Sequence, residues 1–199
     1  MFAELTSLAA TAGWMTSTAL ATHYARSLHT DPLTGLGNRA ALYRRARRAR
    51  RGLVGLLLVD LDHFKAINDT HGHDFGNAVL ANVGTQLAET SGKRELPVRL
   101  HGDEFAVWLG RLDGSATAER RAEDIAAALA EPFWVDGHRI NALGSVGLAV
   151  APASTPTTEL LGQADAHMYA VKNNRRLSVL NPGRNRRTRD TNTPGGETA

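Results

Sequence analysis

The chain of 199 residues contains no cysteine. Disulfides, thiolate metal sites and cysteine nucleophiles are thereby excluded together, and nothing argues for export. It also lacks a convincing membrane segment. Leu5 to Thr22 carries no charge and approaches the length of a short span, but Thr6, Ser7, Thr11, Thr16, Ser17, Thr18 and Thr22 interrupt its apolar set. No basic stretch precedes it, and Glu4 stands where a signal peptide carries positive charge. Leu5, Leu8, Ala12, Met15 and Ala19 recur at helical spacing instead. The segment is expected to be a helix over residues 1–30 that docks on the domain, a second copy or a membrane surface, not an anchor. Internal repeats are absent too.

What is present suits one globular domain: 42% of residues are hydrophobic and 22% charged. The net charge of +3 conceals two clusters, Arg44, Arg45, Arg47, Arg48, Arg50 and Arg51, then Arg184, Arg186, Arg187 and Arg189. Such runs read as a solvated helix face and a frayed tail, or as phosphate-binding patches for nucleic acid or anionic lipid. After Pro182 apolar residues almost vanish, and residues 181–199 are expected to form a disordered basic tail.

Asn38 is a plausible N-cap for a helix through Leu42 and Tyr43, preceded by a turn-rich segment from Asp31 to Gly37. Leu53 to Asp60 is a nearly unbroken apolar run ending in acid, as in a strand buried on both faces. A helix is expected from about Phe75 to Glu89, with Val79, Leu80, Val83 and Leu87 on one side. Pro97–Leu100 and Phe105–Leu109 flank His101, Gly102, Asp103 and Glu104 in a hairpin with an acidic turn. A helix over Ser115–Ala130, a hairpin about Asp136-Gly137, a strand from about Ser145 to Val150 and a helix from about Thr158 to Lys172 follow. This order describes an α+β, ferredoxin-like antiparallel sheet with packed helices over residues 31–180.

The acids at strand ends carry the chemistry: Asp60 and Asp62 close one strand, and Asp103 and Glu104 occupy a turn. If those strands are neighbours, the carboxylates converge, and hard oxygen donors fit Mg²⁺ and nucleotidyl transfer. Taken alone, surface carboxylates near turns are more often plain solubility and turn chemistry.

Four ordered blocks, Asp31-Pro-Leu-Thr-Gly-Leu-Gly-Asn-Arg39, Asp60 through His73, Gly102-Asp-Glu-Phe105, and Ala164-Asp165 through Tyr169 to Lys172, resemble the successive motifs of GGDEF domains. The resemblance spans roughly Asp31 to Leu180. It implies a nucleotidyl-cyclase palm, and diguanylate cyclase chemistry that joins two GTP molecules into cyclic di-GMP in a bacterial, cytoplasmic homodimer. It further implies that Asp60, the Leu61 carbonyl and Asp103 hold Mg²⁺ (or Mn²⁺), and that Glu104 binds metal or activates the attacking 3′-hydroxyl. Phe64 and Lys65 match a turn whose backbone donors meet phosphate, Lys172 and Arg176 match cations that grip the outer phosphates, and Asn68 matches an amide that reads guanine.

Three positions depart from the pattern. Asn77 replaces a carboxylate that accepts two guanine donors, and a carboxamide accepts through one oxygen only. His101 replaces the first glycine of the family's name motif, and its imidazole must either meet the ligand or turn to solvent. Gly102 retains the second glycine. Arg175 adds charge where a glycine is usual. The family's Arg-x-x-Asp product-inhibition motif is absent from Gly92-Lys93-Arg94-Glu95, so feedback through that site is not expected. An active cyclase, a non-catalytic nucleotide-binding or interaction module, and a nucleic-acid or membrane-surface protein are the readings to separate; neither nucleic acid nor membrane is expected as the main partner.

Overall fold

A computed structural model describes residues 28–180, with side chains through residue 173. The expected basic tail and all but the end of the expected N-terminal helix lie outside the described residues. Residues 28–30 form a turn and a bridge from Thr30 to Gly37, not helix.

Strand β1 (Gly37–Asn38) leads into α1 (Arg39–Ala46), β2 (Leu53–Leu61), α2 (Phe64–His71), α3 (His73–Thr90), β3 (Leu96–His101) and β4 (Glu104–Leu112). Helix α4 (Ser115–Ala130), the small ribbon β5 (Phe133–Val135) and β6 (His138–Ile140), β7 (Gly144–Pro152) and α5 (Thr157–Leu180) follow. The main sheet runs β1-β3-β4-β2-β7. Its four long strands pair antiparallel in the ferredoxin-like order, while the two-residue edge strand β1 pairs parallel with β3, so the sheet is mixed and not purely antiparallel.

The apolar run of β2 is buried on both faces because helices cover both. Leu57, Val59 and Leu61 join Phe105, Val107, α3 residues Val79, Val83 and Leu87, and α4 residues Ile125 and Leu129. Val54, Leu56 and Leu58 join Trp108, α1 residue Leu42 and α5 residues Leu160, Ala164 and Met168. Successive strand side chains thus fill opposite cores, the signature of a central strand. Phe105 is wholly buried beside Val59. Removing its ring is expected to cost about 3–5 kcal/mol.

Local signals explain the boundaries. The Asn38 side chain accepts from the Ala41 N–H at 3.1 Å, the cap its sequence position suggested. Basic residues end α1: Arg45 donates to the Arg94 carbonyl at 2.9 Å and Arg47 to the Tyr43 carbonyl at 3.3 Å. Part of the first arginine cluster therefore serves the helix C-terminus, where positive charge is favoured. At the Asp136-Gly137 turn both residues have positive φ, 47° and 79°, as a type I′ hairpin requires.

One element was not read from the sequence as helix. Phe64 to His71 forms α2, so Phe64 and Lys65 open a helix and do not merely line a turn. Asp69, Thr70 and the His-Gly-His run have low helix propensity, which masks the segment; the burial of Phe64 against Phe75 and Leu61 in the core supplies what propensity does not.

Candidate functional site

The β3–β4 turn and the end of β2 bring the strand-end acids together. Asp60 stands directly opposite Glu104 in the antiparallel register, and the Leu61 N–H donates to the Asp103 carbonyl at 3.4 Å. Gly102 takes φ +53° in the turn, a left-handed conformation that its missing Cβ makes cheap. The Arg99 guanidinium pins that turn by donating from Nε to the Gly102 carbonyl at 2.8 Å.

Helix α5 delivers Lys172 to the same place. Its Nζ lies 2.7 Å from Asp60 Oδ2 and 3.9 Å from Asp62 Oδ1, with all three side chains about a quarter exposed. This approach depends on Gly147 of β7, where an added Cβ would stand 2.6 Å from Met168 Cβ. Asp62, legible in the sequence only as a strand-end acid, accepts from Ser145 Oγ at 2.9 Å. Ser145 is the buried polar residue of the described core, at 1% exposure. Nothing in its local sequence marks it, because its partner lies in the turn after β2, far away in the chain.

Beyond β2 the chain reverses at His63, a non-glycine residue at φ +62° with no side-chain cap. That conformation is uncommon for an L-residue and sharpens the turn. The N–H groups of Phe64 and Lys65 lead α2, whose first turn carries no acid. Such an end is a ready anion site.

Asn68 and Asn77 sit on α2 and α3. The Asn68 side chain lies against Gly76, where any Cβ would collide with its amide oxygen. Asn77 follows as an exposed residue. The angle between the helices is held by His71 stacked on Phe75, ring centroids 4.4 Å apart, with His138 of β6 5.8 Å from Phe75. His101 is exposed and lines a groove on the outer flank of the turn. Arg175 and Arg176 fall in α5, but their side chains lie outside the described residues.

The donor set suits a hard divalent cation: carboxylates of Asp60, Asp103 and Glu104 beside the end of β2, with no sulfur. The pairing of Asp60 with the Lys172 ammonium shows that this carboxylate already draws a cation. Among the described residues no three potential ligands form a ready-made metal cluster; Mg²⁺ typically uses one or two carboxylates and completes its shell with water and substrate phosphate.

Two ion pairs brace the surroundings. Burial pushes the Asp31 carboxyl up, but hydrogen bonds from the Thr34 hydroxyl at 2.8 Å and N–H at 2.9 Å, with the nearby Arg99 charge, bring it below its ordinary value. Glu95, in the stretch where the product-inhibition motif is missing, takes Arg121 bidentately at 2.8 Å on each oxygen and accepts the Gly92 N–H at 2.8 Å. Burial again opposes, and the Arg121 contacts prevail, lowering the Glu95 pKa and raising that of Arg121.

A family model described as "Diguanylate cyclase, GGDEF domain" matches residues 28–178. Diguanylate cyclase TpbB of Pseudomonas aeruginosa is 38% identical over 173 residues, covering 80% of this chain and 40% of that protein. The solved GGDEF domain of the same TpbB superposes with a TM-score of 0.65 over 73% of this chain and 90% of the other, at 38% identity. The coiled coil and GGDEF domain of DgcB from Caulobacter crescentus, solved in complex with c-di-GMP, gives a TM-score of 0.75 at 25% identity, over 87% of this chain and 96% of that one. With the strand-end acids, the glycine turn and the palm topology in their expected places, the chain belongs to the GGDEF family.

Proposed function

We propose that this chain is a diguanylate cyclase, condensing two GTP molecules into cyclic di-GMP as a homodimer in the presence of Mg²⁺ or Mn²⁺. The observation that carries the reading is the convergence of Asp60, Glu104 and the Asp103 turn with Lys172, because a module that only binds has no need of this acid and cation set. The named cyclase relative and the c-di-GMP-bound neighbour support it.

In each of two steps the 3′-oxygen of one nucleotide bonds to the α-phosphorus of the other and pyrophosphate leaves with the electron pair of the broken P–O bond. Asp60, the Leu61 carbonyl, Asp103 and Glu104 would hold the divalent ion, which neutralises phosphate charge when bound. Glu104 would receive the 3′-hydroxyl proton. The leading N–H groups of α2 bind phosphate oxygens, and Lys172 exchanges its carboxylate partner for the outer phosphates, joined by Arg176. Asn68 and Asn77 face the base, and Gly102 and His101 shape the turn against the nucleotide.

A second reading, a non-catalytic nucleotide-binding or protein-interaction module, is favoured by Asn77, which forfeits the charged acceptor of the base, and by His101, which stands where the family has a glycine. Incubating the full chain with Mg²⁺ and each nucleoside triphosphate, then weighing the products, separates the two. Cyclic di-GMP supports the first reading; nucleotide binding with no condensed product supports the second.

A further inference from the structure

The acids of the candidate site stand at one end of β2, and the other end of the strand is basic. Leu53 opens β2 and Asp60 lies seven residues on, which sets the two ends about 23 Å apart. Three further segments meet the Leu53 end. Arg45 ties the close of α1 to the approach to β3 by donating to the Arg94 carbonyl at 2.9 Å, and a Cβ added to Gly110 of β4 would stand 3.6 Å from the same oxygen. The Arg111 side chain runs along Gly52, where a Cβ would stand 3.2 Å from its Nε. The Gly52 carbonyl in turn accepts from the Ala153 N–H beyond β7 at 2.9 Å.

These ties gather Arg44, Arg48, Arg50, Arg51, Arg94 and Arg111 at one pole of the sheet. All six are exposed, and among the described residues none of their side chains has a hydrogen bond or ion pair. Arg45 and Arg47 are taken up by backbone carbonyls. Free acids on the neighbouring segments are fewer: Arg121 holds Glu95 at 2.8 Å, and Glu89, Asp113 and Glu159 are exposed singly. A helix favours cations in its last turn only. Arg48, Arg50 and Arg51, in the connection from α1 to β2, therefore exceed what helix capping explains. Leu53, the first residue of β2, is 39% exposed at this same end.

We propose that this basic pole docks the chain peripherally on an anionic bilayer, with the guanidinium groups on lipid phosphates and Leu53 at the boundary of the acyl chains. Charge complementarity selects the phosphate, whose oxygens a guanidinium fork matches. The exposed leucine selects a lipid surface over a nucleic-acid duplex, whose phosphate backbone gives an apolar side chain nothing to bury against. A contact held by charge and one apolar residue is reversible and salt-sensitive. Docked in this way, the strand ends bearing Asp60 and Glu104 point away from the bilayer and stay open to a soluble nucleotide. The docking does not depend on what those acids catalyse.

The test is co-sedimentation of the full chain with vesicles of phosphatidylcholine alone and of phosphatidylcholine and phosphatidylglycerol in equal parts, at low and high salt, with retention on duplex DNA as a further arm. The expected result is binding to the anionic vesicles at low salt, release at high salt and no binding to the neutral ones. Affinity for the anionic vesicles should fall about tenfold or more in Arg44→Gln/Arg48→Gln/Arg50→Gln/Arg51→Gln. Arg94→Gln/Arg111→Gln, remote in sequence but on the same pole, should weaken it as well. None of the six belongs to the nucleotide site, so melting temperature and nucleotide affinity should stay unchanged in both variants. Undiminished vesicle binding in either variant, equal binding to neutral vesicles, no binding to anionic ones, or retention on DNA at a salt concentration that releases the vesicles each overturns the proposal.

Discussion

In the proposed cyclase, Asn77 would offer guanine one acceptor where two donors need partners. The residue is exposed, one position after the glycine against which Asn68 packs. Restoring the charged acceptor with Asn77→Asp is expected to tighten GTP binding about tenfold to a hundredfold and to raise turnover, measured by titrating GTP and ATP against both forms. Tight, selective GTP binding by the native chain with no gain in the variant would contradict this. Ser145 makes a different case. Its buried hydroxyl holds Asp62 beside Lys172, and Ser145→Ala is expected to cost about 1 kcal/mol of stability and to lower turnover about tenfold, with Ser145→Thr retaining more. Urea unfolding and steady-state kinetics on the three forms check it. The acids and Lys172 were legible because each sits in a motif at a strand end or on a helix face. Ser145, Arg99 and Arg121 were not, since their partners lie 83, 68 and 26 residues away and no local pattern announces a long-range pair.

At the scale of elements, periodicity and turn chemistry set β2, α4 and the Asp136-Gly137 hairpin to within a residue or two, because each segment's own preference agrees with its place in the fold. Helix α2 escaped because tertiary burial, not propensity, makes it; the parallel edge strand β1 escaped because two residues carry no periodicity. The docking of α5 on β7 is the element-level feature the site depends on most. Gly147→Val would insert a side chain where even a Cβ meets Met168 at 2.6 Å, pushing the helix away and drawing Lys172 off Asp60. A loss of about 1–3 kcal/mol in denaturant unfolding is expected, with nucleotide affinity falling alongside. A variant that is destabilised but binds nucleotide normally would show that Lys172 does not need this register.

Across the whole molecule, the two lowered carboxyls predict the acid limb of stability. Asp31 and Glu95 both have folded pKa values below their ordinary ones, so the stability they contribute is complete above about pH 5 and is lost as pH falls through about 4 towards the folded values. Glu95→Gln should lower the melting temperature at neutral pH and flatten its fall below pH 5; parallel profiles for the two proteins would mean that the Glu95–Arg121 pair contributes nothing to the linkage. In the proposed reading the paired strand ends perform phosphodiester synthesis on GTP. Its most direct measurement is mass analysis of the products after the native chain and Asp103→Ala are each incubated with Mg²⁺ and GTP. Cyclic di-GMP and pyrophosphate from the native chain, and neither from the variant, is the predicted result. Equal product from both, or none from the native chain with any nucleoside triphosphate, contradicts it.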